Sequence, residues 1–311
     1  MSFAADAKSE LCRYTNLTSC CQKAECYGLL LFAKHFSYHG IAFSTEHRES
    51  ALRLANFIAE QTQTVAEITS KMTRRSGNPV TSTVTVPYLE QCKRLLGYFG
   101  HTGQEMNLRI NRSLLKNECC TAAFLRGVFL CCGTVTNPEK EYHLEFVVPY
   151  MKLAKDLLSV LCGVPELALQ GAVTNRKGSF VVYIKGSQGI ENLLTFMGAS
   201  HAAMELMQIK MLKEVRNQVN RKTNFETANM DKTVSASAKQ IADIQTIANT
   251  VGLAQLPPAL QELAVLRLEN PELSLRELGQ QLSEPISRSG VNHRLKRIEA
   301  FAETVAQKKA N

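Results

Sequence analysis

Polar and basic side chains crowd residues 287–297, which read "SRSGVNHRLKR". The members able to hydrogen bond or carry charge are Ser287, Arg288, Ser289, Asn292, His293, Arg294, Lys296 and Arg297. Arginine and asparagine can form paired hydrogen bonds with guanine and adenine in the DNA major groove, so the early members are candidate base readers. Arg294, Lys296 and Arg297 come later and are better placed for phosphates. No nucleophile or acid lies at a catalytic spacing from His293, which we interpret as a surface residue or phosphate contact.

Two short helices can present these side chains. Ser274 and Glu277 form a Ser-x-x-Glu capping box at the start of the first helix, "SEPIS" follows as a turn, and Ser287 can cap the second. The expected inward positions are Leu275, Leu278, Leu282, Val291, Leu295 and Ile298. This layout, at about 273–306, is typical of a helix-turn-helix. Gly290 lies inside the second helix, where we expect the backbone to approach DNA or the preceding helix. The alternative is a helical interaction domain with a basic rim.

The chain has ten cysteines, several of them in adjacent pairs: Cys20–Cys21, Cys119–Cys120 and Cys131–Cys132. Zinc sites typically use Cys-x2-4-Cys elements, and adjacent cysteines suit chelation poorly. We therefore predict no metal and no cofactor. The cysteines fall in apolar helical runs, where a reducing cytosol would keep them as small hydrophobic residues.

The net charge of +8, from 36 basic and 28 acidic residues, suggests a polyanionic partner without establishing one. The excess is uneven. The range 71–116 holds eight basic and two acidic residues, a net of +6. This excess suits a contact with a polyanion, and the alternative interpretation is a solvated basic face with no partner. The sequence contains no run of about 18 uncharged apolar residues, so we expect no membrane helix. The N-terminus lacks a signal-peptide pattern, so the cytosol is the expected location.

Two segments repeat one arrangement. They are "CCQKAECYGLLLFAKHFS" (20–37) and "CCTAAFLRGVFLCCGTV" (119–135), each with a glycine eight residues after its first cysteine, Gly28 and Gly127. A helix glycine costs about 1 kcal/mol relative to alanine, so matched glycines predict two helices packed closely about a pseudo-two-fold axis. Strand and helix patterns then follow in the same order in both copies. The expected fold is α+β: a duplicated αββαββα unit with antiparallel sheets, followed by an all-α domain.

The two glycine segments resemble the motif helices of LAGLIDADG homing endonucleases. Alignment of the glycines places the nine-residue motifs on 26–34 and 125–133. In those nucleases the eighth position carries a metal-binding acid, and here it holds Ala33 and Cys132. Neither is an oxygen ligand for Mg²⁺. The acids nearby fall at other positions: Glu25, Glu139 and Glu141. The resemblance implies a retained scaffold with no catalytic residues.

In the nucleases the sheets form a saddle over the duplex. The strand-to-strand turn "SKMTRRSGNP" would lie on that saddle, so Lys71, Arg74 and Arg75 are candidates for a second DNA contact. The alternative is a solvated hairpin tip.

The whole chain resembles the WhiA family, on "FAADAKSEL", "AFLRGVFLCCGTVTNPEKEYHLEFV" and "SLRELGQQLSEPISRSGVNHRLKRIEAF" in this order. The resemblance implies a non-enzymatic DNA-binding regulator tied to cell division and chromosome segregation, and to sporulation in mycelial relatives. It implies double-stranded DNA as partner, other regulators or RNA polymerase as further candidates, no membrane, and a cytoplasmic location on the nucleoid. A working nuclease and a protein-interaction module remain as alternatives.

The expected boundaries place the first LAGLIDADG-like half at 1–110, the second at 111–222 and the helical C-terminal domain at 223–311. The range 223–239 is polar and rich in small residues, which predicts a linker or an exposed helix start. An apolar stripe follows at Ile241, Ile244, Ile247 and Ala248.

Overall fold

The computed structural model describes residues 2–15, 17–71, 80–103, 105 and 107–310. The chain divides into two compact units, Met1–Glu214 and Val215–Asn311. Both halves of the duplicated region lie in the first unit. Within the described residues, no helix is both long enough and apolar enough to cross a membrane.

The first half follows a short N-terminal helix, α1 (Phe3–Cys12). Its elements are α2 (Ser19–Leu31), β1 (His35–Ser37), β2 (Gly40–Thr45), α3 (Arg48–Thr62), β3 (Glu67–Lys71), β4 (Thr81–Val86) and α4 (Leu89–Tyr98). The second half repeats this order after a short 3-10 helix, Arg112–Leu114. Its elements are α5 (Glu118–Cys132), β5 (Gly133–Val135), β6 (His143–Val148), α6 (Met151–Cys162), β7 (Gly171–Arg176), β8 (Ser179–Lys185) and α7 (Ser187–Met197), with a 3-10 turn at Pro165–Leu167. The duplicated αββαββα prediction is confirmed.

Each half forms a four-stranded antiparallel sheet, in the matching orders β1-β2-β4-β3 and β5-β6-β8-β7. Alternate residues of the central strands are buried, as a sheet with one covered face requires. In β4, for example, Ser82, Val84 and Val86 face inward while Thr81, Thr83 and Thr85 are partly exposed.

The two glycine helices, α2 and α5, pack against each other at the centre of the first unit. A Cβ atom on Gly127 would lie 2.1 Å from the carbonyl oxygen of Glu25, and one on Gly28 would lie 2.4 Å from that of Phe124. Both contacts are with backbone, which cannot move aside. The predicted role of the glycines is confirmed: they permit an approach that a side chain would prevent, and the packing offsets the propensity cost.

The second unit begins within α8 (Ser200–Thr250) and contains a 3-10 turn at Leu253–Gln255, then α9 (Pro258–Glu269), α10 (Leu275–Gln281) and α11 (Arg288–Ala310). The range 223–239 is helical throughout and largely exposed, so the linker interpretation is wrong, and the range lies in the middle of α8 and is not the start of a helix. Its small polar residues lower helix propensity only slightly when a long helix continues on both sides.

One core joins α8, α9, α10 and α11. It includes Ile244, Ile247, Leu278, Leu282, Val291, Leu295 and Ile298, as the apolar stripes predict. Ile241 and Leu275 are only partly buried. Ala248 is exposed, contrary to prediction, because the core stripe of α8 passes through 244 and 247 on the adjacent side of the helix.

Candidate nucleic-acid interface

Caps at two helix starts fix the C-terminal motif. At α10, the Ser274 backbone N–H donates to Glu277 Oε2 at 2.8 Å, and the Glu277 N–H donates to Ser274 Oγ at 3.3 Å. At α11, the Gly290 N–H donates to Ser287 Oγ at 3.3 Å. Since a capped end leaves fewer backbone donors unsatisfied, both helices begin where the sequence predicts.

A glycine lets the chain fold back between these helices. The Ile286 N–H donates to the Gly279 carbonyl oxygen at 3.0 Å, and a Cβ on Gly279 would lie 2.4 Å from the Ile286 carbonyl oxygen. Gly290 is less constrained: a Cβ there would meet the Ile286 side chain at 3.3 Å. Within the protein, Gly290 therefore approaches the turn and not the preceding helix, and its predicted approach to DNA stays a prediction.

The exposed face of α11 carries most of the predicted DNA-binding residues. Val291, Leu295 and Ile298 are buried against the core. Positions on the opposite side follow a helical spacing and are exposed: Arg288, Ser289, Asn292, His293, Lys296 and Arg297, with the cap Ser287 beside them. In the part of the chain described, none of Arg288, Lys296 and Arg297 takes part in an ion pair or side-chain hydrogen bond.

Arg294 differs from its neighbours. Its side chain is half-buried and its Nη1 donates to the Ala259 carbonyl oxygen of α9 at 3.4 Å. The guanidinium also contributes to the lowered pKa of Glu262, after the larger contribution of the Ser283 backbone hydrogen bond. Arg294 thus helps to hold α11 against α9, a role that its place among exposed cations did not indicate.

A cleft beside α11 adds cations that sequence reasoning missed. Arg276 of α10 and Lys232 of α8 line the same cleft as Arg288. No spacing in the sequence links these three positions, which lie on three helices. Arg267 forms the inner wall and is 2% exposed. It donates to Gln240 Oε1 at 2.9 Å and to the Leu273 carbonyl oxygen at 2.7 Å, which fixes the turn before α10.

The open sheet faces of the first unit present a different arrangement. Lys71 ends β3 and is exposed, while Arg74 and Arg75 lie outside the described residues. On the second sheet, Arg176 Nη2 donates to Glu145 Oε1 at 2.6 Å, and Lys185 Nζ lies 5.4 Å from the centre of the Tyr183 ring. On the second sheet, these two cations are therefore interleaved with a carboxylate and an aromatic ring.

The basic run 71–116 is also partly neutralised by pairing. Arg109 Nε donates to Asp156 Oδ2 at 2.6 Å, and Lys93 Nζ donates to Glu90 Oε1 at 2.9 Å. Asp156 lies outside the counted segment, so the sum of +6 could not include it. The pKa of the Asp156 carboxyl is lowered even though burial acts in the opposite direction, because Arg109 and the Ile110 N–H both hydrogen bond to it.

The two degenerate nuclease positions offer no carboxylate. Ala33 is buried immediately after α2, and Cys132 ends α5 with its thiol 3.4 Å from the Val128 carbonyl oxygen. The groove at this end is lined instead by Lys8, Cys131 and Glu46, among others. Burial lowers the pKa of Lys8, while Cys131 and Cys132 are near enough to oppose that shift.

The buried acid Glu25, which lies near the first motif in the sequence, is held in ion pairs. Glu25 is fully buried, and its carboxylate accepts hydrogen bonds from Arg53 Nε at 2.5 Å and from Arg126 Nη1 at 2.9 Å. Arg126 also donates to the Met197 carbonyl oxygen at 2.6 Å and lies over the Tyr14 ring. This network joins the two halves, because Arg53 belongs to the first and Arg126 to the second. Glu139 and Glu141 are exposed in the turn after β5.

Comparison with known proteins identifies the family. The WhiA C-terminal HTH domain matches residues 219–302, and the WhiA LAGLIDADG-like domain matches residues 121–216. A probable cell division protein WhiA of Alkaliphilus metalliredigens is 36% identical across 97% of this chain and 98% of its own length. The chain belongs to the WhiA family. A second WhiA relative, from Clostridium beijerinckii, is 34% identical across 99% of this chain and 100% of its own.

A solved member of the WhiA family supports the fold. The crystal structure of full-length DUF199/WhiA from Thermatoga maritima matches with a TM-score of 0.61 and 26% identity, covering 98% of this chain and 99% of that one. The LAGLIDADG-like family match begins in the second half. The equivalent first half is recognised here by its repeated element order and sheet topology. Family membership and the α+β helix-turn-helix fold predicted from sequence are confirmed.

Proposed function

We propose that this protein is a non-enzymatic, sequence-specific DNA-binding transcription regulator that acts in cell division. The observation that carries the proposal is the exposed face of α11, where Arg288, Asn292 and Arg297 are turned away from the core. An arginine and an asparagine at the leading end of a second helix suit base edges. Its relatives are named probable cell division proteins, which supports a role in cell division for this protein.

The proposal extends to chromosome segregation, with sporulation reserved for relatives that sporulate. A protein of this kind works on the nucleoid in the cytoplasm, with double-stranded DNA as its direct partner. Other regulators or RNA polymerase are its candidate protein partners.

The donor chemistry at the ends of α2 and α5 argues against a nuclease. Phosphodiester hydrolysis by Mg²⁺ needs hard oxygen ligands that hold the ion and its attacking water. The motif positions supply a methyl group and a thiol, from Ala33 and Cys132. The buried carboxylate of Glu25 is held by two guanidinium groups, so metal binding would require breaking both pairs.

Genome-wide occupancy followed by binding titrations tests sequence-specific recognition. A duplex carrying the motif shared by occupied sites should bind on the order of 10³-fold or more tightly than a scrambled duplex at physiological salt. Equal affinity for both duplexes would contradict specific recognition. Absence of binding to either would favour the protein-interaction alternative.

Incubation of the protein with supercoiled plasmid and Mg²⁺ tests the absence of nuclease activity. We expect no nicking beyond a protein-free control. Divalent-dependent nicking that disappears in Glu25→Gln would contradict the non-enzymatic proposal. Nicking that persists in that variant but is absent from a mock preparation purified in parallel would contradict the proposal equally, whereas nicking by the mock preparation would indicate a contaminating nuclease.

A further inference from the structure

Four cysteine thiols meet at the N-terminal ends of α2 and α5. Cys20 and Cys21 lie in the first turn of α2, and Cys119 and Cys120 lie in the first turn of α5. All four Sγ atoms lie within 4.8 Å of one another. Cys20 and Cys119 are exposed, while Cys21 and Cys120 are buried. Each half therefore supplies one inner and one outer thiol, and solvent reaches the cluster from one side.

We propose that these four thiols bind one Zn²⁺ ion. A tetrahedral ion with bonds of about 2.3 Å to each sulfur holds the sulfurs about 3.8 Å apart, a separation that small side-chain adjustments can reach from the present arrangement. Each thiol would lose its proton to solvent as its sulfur binds the ion. The product is a closed site with four protein ligands, the form typical of structural zinc.

The donor set selects the class of ion. Four sulfurs exclude Mg²⁺ and Ca²⁺, which take oxygen ligands. Tetrahedral sulfur sites hold either zinc or an iron–sulfur cluster. A cluster of several irons separates its cysteine ligands more widely than a single ion does, and the compact grouping here suits the single ion.

The helix ends favour the negative charge that such a site would carry. The residues preceding both helices, Thr18 and Asn117, make no side-chain cap hydrogen bond. The free backbone N–H groups and the helix dipoles therefore stabilise thiolates at these ends. The Thr18 hydroxyl lies 3.2 Å from Cys20 Sγ, so it can donate a hydrogen bond to a thiolate there. Because each sulfur must lose its proton to bind the ion, metal binding should strengthen as the pH rises.

The duplication explains why spacing along the chain does not reveal this cluster. Each adjacent pair, considered alone, is a poor chelator. The first cysteine of each pair precedes its helix glycine, Gly28 or Gly127, by the same eight residues. Close packing at the glycines therefore brings the two pairs to the same level, and the pseudo-symmetry completes a ligand set that neither half contains. Zinc here would clamp the two halves at the opposite end from the degenerate nuclease positions.

A second grouping, Cys12, His47 and Glu49, carries no such inference. Both ring nitrogens of His47 already have partners, Ser50 Oγ at 2.9 Å and Ser9 Oγ at 3.0 Å. Burial also raises the pKa of the Cys12 thiol to about 11. This grouping serves as an internal control.

Metal titration of the full chain tests the proposal. The protein is purified with a thiol-free reductant, stripped with a chelator and titrated with Co²⁺, whose tetrahedral thiolate complexes show intense visible and charge-transfer bands. We expect saturation near one Co²⁺ per chain, with bands typical of four sulfur ligands, and displacement by Zn²⁺. Zinc should also raise the Tm of the stripped protein, because an ion that binds only the folded state stabilises it.

Matched variants locate the binding site. Cys20→Ser/Cys119→Ser changes only the two exposed ligands and should fold, lose the charge-transfer bands and lose the zinc-dependent rise in Tm. Cys162→Ser, an exposed cysteine elsewhere, and Cys12→Ser should retain both signals. Loss of the bands in Cys12→Ser but not in the double variant would overturn the assignment.

Two further results would also overturn the proposal. One is the absence of stoichiometric Co²⁺ binding by the reduced wild-type chain. The other is an intact mass, under the same reducing buffer, lower by two hydrogens for each of two disulfides linking these cysteines. The cluster would then be a redox pair and not a metal site.

Discussion

Several arginines of the first unit are held in ion pairs, whereas, within the ranges that the structure describes, the cations on the exposed face of α11 in the second unit are not. In the first unit, Arg53 and Arg126 are paired with Glu25, Arg109 with Asp156, and Arg176 with Glu145. On α11 of the second unit, Arg288, Lys296 and Arg297 are exposed and have no ionic partner among the described residues. Buried ion pairs hold a fold together and exposed ones contribute little to its stability, whereas unpaired cations on one helix face are available to bind phosphates. If α11 is the DNA-binding surface, as proposed, then the location of ion-pair partners indicates it better than net charge does.

The largest expected effect concerns the buried network of the scaffold. Glu25→Ala would leave Arg53 and Arg126 without their carboxylate, and an uncompensated buried charge costs about 3–5 kcal/mol. We expect the free energy of unfolding of the first unit to fall by that order. Since the chain has no tryptophan, circular dichroism in a urea titration is the appropriate measurement.

Glu60→Ala is the matched control, because Glu60 is an exposed glutamate on α3. It should change the unfolding free energy by less than about 0.5 kcal/mol. If the two variants were equally stable, the network would not hold the halves together.

A second prediction tests the comparison directly through DNA affinity. Lys296→Ala/Arg297→Ala removes two unpaired cations and should weaken binding to every duplex, lowering the salt slope by about two units. Arg109→Ala/Arg176→Ala removes the same charge from paired positions and should leave the slope unchanged. Fluorescence anisotropy at two or more salt concentrations measures both. Equal slopes for the two double variants would show that pairing does not decide which cations contact DNA.

Sequence patterns predicted the elements well because local and repeated signals specify them. The Ser274–Glu277 capping box, the inward positions of α11 and the matched glycines each follow from residue type and spacing. The run 71–116 shows the limit of such patterns. Its excess of +6 is a sum along the chain, whereas Arg109 meets Asp156 only in the folded structure. The cleft that joins Lys232, Arg276 and Arg288 depends in the same way on the packing of three helices.

The third prediction separates base reading from phosphate contact on the same face. Asn292→Ala should cost about 1–3 kcal/mol on the matched duplex, the worth of a bidentate base contact, and leave binding to a scrambled duplex almost unchanged. Competition titrations with both duplexes report the ratio. An equal loss of affinity for both duplexes would indicate that Asn292 contacts the DNA backbone and not a base. If neither Asn292→Ala nor Lys296→Ala/Arg297→Ala affected binding, α11 would not be the recognition helix.

The smallest expected effect concerns the scaffold's own contact with DNA. Arg74 and Arg75 lie outside the described residues, three and four positions after Lys71 in the sequence. On the described open sheet faces, Arg176 is already paired with Glu145, so Arg74 and Arg75 remain the candidates for an additional contact. Arg74→Ala/Arg75→Ala should therefore weaken binding slightly on long duplexes, with a small drop in salt slope, and leave binding to a short duplex spanning only the helix-turn-helix site unchanged. The short duplex is the control, since both DNAs share that site. Unchanged affinity and slope on the long duplex would leave the first unit without a DNA contact at this turn.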